Sequence, residues 1–267
     1  MRRSPAVAGS FYPGKAPELL RVVERCLGGQ PQPQSVFGAV VPHAGLQYSG
    51  HVAGAVYGRL AFPSTVILVG PNHFGRGSPI ALYAEGTWET PLGEVAVDAE
   101  LAAELRAACP LVADDPGAHR SEHSLEVQLP FLRHLAPGLR FVPLLLSVGH
   151  YKPLEELGRG VATVMAKRES RPLLLASSDL NHYESDRITR QKDRKAIEAI
   201  LALDPHGLYD VVRRERISMC GIEAAVVLLT AARALGVTRA EEVRYATSAD
   251  VSGDYDRVVG YAGILLG

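Results

Sequence analysis

Histidine, aspartate and cysteine side chains recur in this chain just after, or just before, apolar runs. FGAVVPHAG places His43 after one run, TVILVGPNH places His73 after the next, and PLLLASSDLNH places Asp179 and His182 after a third. In SMCGIEAAVVLL, Cys220 opens a fourth, helix-like apolar segment. Open α/β sheets bind ligands outside the carboxyl ends of their strands. If the runs are parallel strands, residues far apart in sequence converge there on one cleft. Imidazole and thiolate are both metal-ligand types, so the chemistry on offer is metal binding.

Each residue also has a plainer reading. His43 and His73 share a design of strand, proline-containing turn and histidine, with Gly45 and Gly50 permitting tight backbone near the first. Either could be a turn histidine bonded to nearby backbone, but successive strands are often spatial neighbours, and two such residues strengthen each other. Cys220 precedes a helix, whose N-terminus stabilises a thiolate. It could equally be a small buried hydrophobe. Asp179 could orient His182 for general-base work or simply cap a turn. Ser177 and Ser178 invite a Ser-His-Asp hydrolase reading, yet no G-x-S-x-G elbow surrounds them. In HRSEHSLEVQLPFL, His119 and His123 would share a face if helical, without the HExxH of zincins. His123 and Glu126 would also share a face, as a pair supporting the site. His51, His134, His150 and His206 lack such context, and Cys26 and Cys109 fall within ordinary helical patterns.

Composition narrows the class. The chain has 267 residues, 47% hydrophobic and 21% charged, with a formal net charge of −1. That balance suits one globular α/β domain over residues 1–267 and gives no basic surface for nucleic acid. Three scattered cysteines do not form a disulfide framework. The start lacks an apolar signal region, and no apolar stretch is long enough to span a membrane. A cytoplasmic location is therefore expected.

The elements that must position these residues alternate. Strands are expected at Val36–Val41, Thr65–Val69, Arg140–Leu146 and Pro172–Ala176, with Val243–Ala249 and Val258–Leu266 closing the chain. Ile80–Tyr83, Thr87–Thr90 and Gly93–Val97 read as short strands with a hairpin excursion. Helices are expected at Ala16–Leu27, Gly50–Leu60, Ala99–Ala108 with Asp98 as N-cap, Ser124–Leu135, Pro153–Lys167, Ile188–Leu203, His206–Arg214 and Gly221–Leu235. The Gly28–Gln34 stretch reads as a connection rather than a domain boundary. This order predicts a mixed, mostly parallel sheet with helices on both faces.

The motifs AGSFYPG, VPHAGLQYSG, VGPNHFG, EHSLEVQLPFL, SSDLNHY, the MCG turn and the closing VVGYAGILLG occur in that order. Together they resemble the Memo family, known in microbes as AmmeMemoRadiSam system protein B, nearly end to end. The resemblance implies a fold similar to the class III extradiol (LigB-type) dioxygenases. It implies His43, His73 and Cys220 as metal ligands, and His182, with Asp179 beside it, as the catalytic base. It places His123 in the cleft-lining set, and the spacing adds Glu126 as its substrate-binding or supporting partner. The dioxygenases complete their iron site with a carboxylate where this chain offers Cys220, so ring cleavage does not transfer with the fold. A non-haem iron redox enzyme is expected, with copper or zinc as alternatives. A non-catalytic peptide-binding module using the same cleft is the other reading. The family name further suggests AMMECR1-like and radical SAM partners; without a CxxxCxxC cluster, the radical chemistry would reside elsewhere.

Overall fold

The computed structural model describes residues 1–29 and 32–267. The Gly28–Gln34 connection includes Gln30 and Pro31, so that expectation lies partly outside the described residues. The chain opens with β1 (Arg2–Arg3), α1 (Ala16–Leu27), β2 (Gly38–Val41), α2 (Leu46–Tyr57) and β3 (Thr65–Pro71). An excursion of short elements follows: β4 (Ile80–Leu82), β5 (Thr87–Thr90), β6 (Gly93–Val97), α3 (Ala99–Ala108), β7 (Ala113–Asp114) and α4 (Pro116–His119). A 3-10 turn at Glu126–Gln128 leads into α5 (Leu129–Leu135), β8 (Arg140–Leu146), α6 (Tyr151–Ala166) and β9 (Leu173–Ser177). The remainder is β10 (His182–Glu184), α7 (Asp186–Leu201), α8 (Pro205–Arg214), α9 (Ile222–Ala234), β11 (Ala240–Thr247), α10 (Ala249–Ser252) and β12 (Val258–Leu266).

All these strands join one sheet, mixed and mostly parallel as expected. Its centre, β6-β8-β3-β9-β2, is parallel throughout. The closing strand β12 runs antiparallel to β2, β11 and β10. Strand residues alternate between two apolar layers, as a pleated strand covered on both faces requires. Val40, Ile67, Val142 and Leu174 pack under α3, α6, α7, α8 and α9. Ala39, Leu68, Phe141 and Leu175 face α1, α2 and α5. No helix among the described residues is long and apolar enough to cross a membrane.

Several expected boundaries shift for identifiable reasons. The expected helix from Ser124 to Leu135 becomes a 3-10 turn followed by α5. Pro130 cannot donate a backbone hydrogen bond and would clash with the carbonyl four residues back, so regular α-helix starts only at its doorstep. His119 and His123 therefore do not share a helical face. His119 ends α4, is fully buried, and bonds through Nε2 to the Ala81 carbonyl at 3.1 Å. By contrast, Asp98 caps α3 as expected, accepting from the Leu101 amide at 3.1 Å.

One buried acid on α7 makes a pH-dependent contribution. Asp193 is fully buried, accepts from the Asn181 amide at 2.9 Å and the Tyr245 hydroxyl at 2.7 Å, and so ties α7 to the loop before His182. Burial raises its carboxyl to about 7, which these two donors only partly offset. Between the ordinary carboxylate range and about 7, the folded state thus binds a proton that the unfolded state has lost. Stability from this group is full below pH ~4 and falls as pH rises toward 7, by a few kcal/mol in order of magnitude. Asp193→Asn should flatten that decline. Chemical denaturation at a series of pH values checks it, and an unchanged slope would refute the assignment.

Candidate metal centre

Three adjacent parallel strands, β3-β9-β2, deliver residues to one edge of the sheet. His43 follows β2, His73 follows β3, and Asp179 and His182 follow β9. Cys220 arrives from the opposite direction, in the turn before α9. Its approach depends on Gly221, where an added Cβ would lie 2.3 Å from the Ser177 carbonyl oxygen. Only a residue without a side chain lets this turn press against the end of β9.

Ligand atoms of His43, His73 and Cys220 all lie within 4.8 Å of one another. Two overlapping groups meet the same limit: Asp179, His182 and Cys220, and His73, Glu122 and His123. In the first group, His43 Nε2 and Cys220 Sγ are 3.4 Å apart. Nitrogen and sulfur bound tetrahedrally to one ion sit about 3.3–3.6 Å apart, so this pair fits without rearrangement.

Hydrogen bonds to the far side of each ring fix which nitrogen is bare. Ser177 Oγ donates to the Ser124 carbonyl (2.7 Å) and accepts from Gln128 Nε2 (2.8 Å), whose amide is oriented by the Tyr57 hydroxyl. Ser177 has therefore given its only proton away, and the 2.9 Å contact with His43 Nδ1 requires that Nδ1 be the protonated nitrogen. His73 Nδ1 lies 2.9 Å from Glu122 Oε1, and a carboxylate only accepts. His182 Nδ1 lies 2.9 Å from the Ser218 carbonyl, which also only accepts. In all three rings Nδ1 is thus the donor to its neighbour, which leaves Nε2 as the nitrogen turned away from these bonds. A supporting acceptor behind each ligating imidazole is the usual arrangement at metal sites.

Electrostatics agree. Burial, with the nearby His123 and His73 rings, holds His43 well below its ordinary range and keeps it neutral. Burial, then the Asp179 carboxylate, pushes the Cys220 thiol up. That buried sulfur becomes a thiolate most readily when a cation shares its surroundings. Burial would raise Glu122, but His73 and the Ser124 amide outweigh it and set the carboxyl at about 2.

The surrounding cleft has a volume of about 530 Å³ and is lined by His43, His73, His123, Asp179 and His182. His123 stacks on His73 with ring centroids 4.6 Å apart, and meets Phe11 in a tilted contact, also at 4.6 Å.

Two sequence expectations need correction. Asp179 does not hold His182 by a hydrogen bond. Its Oδ1 accepts the His43 and Ala44 amides, at 2.8 and 3.3 Å, and so braces the turn that carries His43. His182 is oriented by Ser218 instead. Glu126 does not share the cleft with His123. It is fully buried and turned to the N-terminal segment, where it binds Arg3 Nη1, the Ala6 and Val7 amides and the Tyr12 hydroxyl at 2.7–3.0 Å. Glu122 is the acid beside His123, with 3.3 Å between Oε1 and Nδ1. Sequence reasoning missed Glu122, Gln128 and Ser218, and it weighed Ser177 only as a hydrolase nucleophile, not as the acceptor behind His43. The only hint was Glu122's place between His119 and His123.

Glu122 accepts from His73 Nδ1 and from the amides of His73, His123 and Ser124. Glu122→Gln presents an NH2 group to donors and should lower affinity for an ion held by His73 about 10–100-fold. Competition with a chelator of known strength measures it; wild-type affinity would show that Glu122 does not support His73.

Fold and site together define an α/β protein with a histidine–cysteine cleft of metal-binding composition at the carboxyl edge of its sheet. A family model described as Memo-like protein matches residues 3–265, and the chain belongs to the Memo family. It is 43% identical to a MEMO1 family protein of Methanopyrus kandleri over 280 residues, covering 100% of this chain and 99% of that one. It is 42% identical over 266 residues to one from Methanosarcina barkeri, covering 99% of each. A MEMO1 family protein of Caldivirga maquilingensis is 40% identical over 275 residues, covering 98% of each.

Proposed function

We propose that this Memo-family chain is a metal-dependent redox enzyme acting on a small substrate in the cleft. His43, His73 and Cys220 hold an iron ion or, in its place, copper; zinc would fit the same donors without supplying redox chemistry. The observation that carries the reading is the approach of His43 Nε2 to Cys220 Sγ at 3.4 Å, with hydrogen bonding that leaves Nε2 bare. When bound, a redox-active ion supplies electron transfer and an open coordination position. A thiolate in the donor set favours softer ions and reduced states.

The remaining roles fall to the chain itself. His182, with Nδ1–H held by the Ser218 carbonyl, turns Nε2 to the cleft and accepts a proton from the substrate there. Asp179 stands close enough to share a ligand cluster with His182 and steadies the imidazolium that results. His123, stacked on His73 and in contact with Phe11, gives the cleft a wall that orients the substrate. The half-buried floor limits bulk water around the reacting atoms.

Metal analysis of the untreated protein, joined to anomalous scattering from crystals, tests this reading. One ion per chain, located between His43, His73 and Cys220, is expected. A protein that takes up no stoichiometric iron or copper even after anaerobic reconstitution, or that holds only zinc, would end it.

A further inference from the structure

In SSDLNHY, Asp179 braces His43 and His182 lines the cleft, while the asparagine beside His182 faces away from both. Three non-glycine residues among those described sit on left-handed backbone, and two of them flank the segments that carry His182 and Cys220. Tyr183, with φ 65°, directly follows His182. Arg216, with φ 52°, turns the chain out of α8 two positions before Ser218. At Tyr183 the register of β10 on β12 slips, so that His182 lies opposite Val259 and Glu184 opposite Val258. That is a β-bulge, a feature that re-aims neighbouring side chains. Its left-handed position usually belongs to glycine, so a tyrosine persists there only because its surroundings hold it.

The hold centres on Asn181, which is fully buried. Its Oδ1 accepts from the Ser218 amide at 3.1 Å and the Ser218 hydroxyl at 3.2 Å. Its Nδ2 donates to Glu184 Oε2 at 2.8 Å and Thr189 Oγ1 at 3.1 Å. Every donor and acceptor position of the side-chain amide is thereby filled. One amide thus clasps the far side of the bulge, the start of α7 and the segment that leads to Cys220. Lys192 adds a parallel link, donating to Glu184 Oε2 at 2.6 Å and to the Arg216 carbonyl at 3.2 Å. Ser218 passes the constraint to His182: its Oγ accepts the His182 amide at 2.7 Å, and its carbonyl accepts from the ring Nδ1 at 2.9 Å. A fully satisfied buried network of this kind fixes a single arrangement.

We propose that Asn181 is a positioning residue that locks the His182 loop and the turn bearing Cys220 into one unit. It touches neither an ion nor a substrate; it acts through Ser218, setting the His182 ring with Nδ1 on that carbonyl and Nε2 toward the cleft. The use of His182 as a proton acceptor rests on the proposed function, whereas the orientation of its ring does not.

Nitrogen-15 NMR of the histidine rings provides the test, on the full chain as purified and after chelator treatment, at pH ~8, above the ordinary imidazole range. Wild-type His182 should show the Nδ1–H tautomer. Asn181→Leu keeps the volume but accepts nothing, and should give His182 a mixture of both tautomers while the His43 signals stay as in wild type. Exchange of the Ser218 and His182 amides with solvent should become about tenfold faster or more. Asn181→Asp retains an oxygen toward Ser218 and should restore the Nδ1–H form. A wild-type His182 tautomer in a folded Asn181→Leu protein overturns the proposal, and so does equal disturbance of His43 and His182, which marks a general loss of structure. The wild-type chain decides the matter if the variant does not fold: the Ser218 and Asn181 amides should exchange at similar rates, and exchange at Ser218 about a hundredfold faster would mean that the two segments open separately. Because the tautomer is read without turnover, a chain that holds no iron or copper would refute the redox reading and leave this role of Asn181 standing.

Discussion

Serine at position 220 is expected to lower the affinity of this protein for iron(II), zinc or copper(I) by at least about 100-fold, beyond the loss typical of a supporting residue. The sulfur sits 3.4 Å from His43 Nε2, close enough for one ion to bind both. Serine keeps the shape but replaces a soft, ionisable sulfur with a hydroxyl that stays protonated. Two imidazoles remain, and these hold an ion far less tightly than a three-ligand set. The loss should be steepest for copper(I), which depends most on a soft donor. Folding should change little, since one half-buried atom is exchanged for a smaller one. Chelator competition measures the affinity, and thermal unfolding provides the control. Wild-type affinity in a folded Cys220→Ser protein would exclude Cys220 as a ligand.

The second large effect concerns Glu126. Its carboxylate holds the Arg3 guanidinium at 2.7 Å, and Arg3 is itself buried, lying 4.1 Å over the Trp88 ring. Arg3 also donates to the carbonyls of His119 and Glu122, at 2.7 and 2.6 Å. Glu126→Ala would leave that guanidinium buried without its counter-ion, and two amides and a phenol without an acceptor. Breaking such a pair costs about 3–5 kcal/mol, a fall in Tm on the order of 10 °C for a chain of this size. Replacing both partners, as in Arg3→Met with Glu126→Leu, should recover much of that loss, because no isolated charge remains. Because Arg3 anchors the backbone of Glu122, the single variant should also loosen His73 and weaken metal binding. Calorimetric unfolding of the three proteins decides it: a Glu126→Ala Tm within a degree or two of wild type would mean that the N-terminal segment is held by other contacts.

Much of the fold was legible in residue order because its causes are local. The amphipathic period of Ala16–Leu27, the Asp98 cap and the apolar run of Arg140–Leu146 each appear at the expected residues. Elements that depend on partners were not legible. The two-residue strand β1 exists because it pairs with β5, and β10 because it lies against β12. The first turn of α2 was missed because Gly45 offers no side-chain cap to announce it.

The sequence by itself determined the chemical types and the edge on which they meet: histidine, aspartate and cysteine beside strand ends must share a cleft once those strands run parallel. Tertiary structure alone decided who supports whom. Glu126 lies three residues from His123 yet serves Arg3 and the N-terminal segment, whereas Ser218, 36 positions from His182, fixes the tautomer of that ring. Asp179, three residues from His182, instead braces His43, 136 positions away. The reason is physical. Strand position follows from periodic burial along the chain, but hydrogen-bond partners follow from sheet order, register and loop path, which no local spacing encodes.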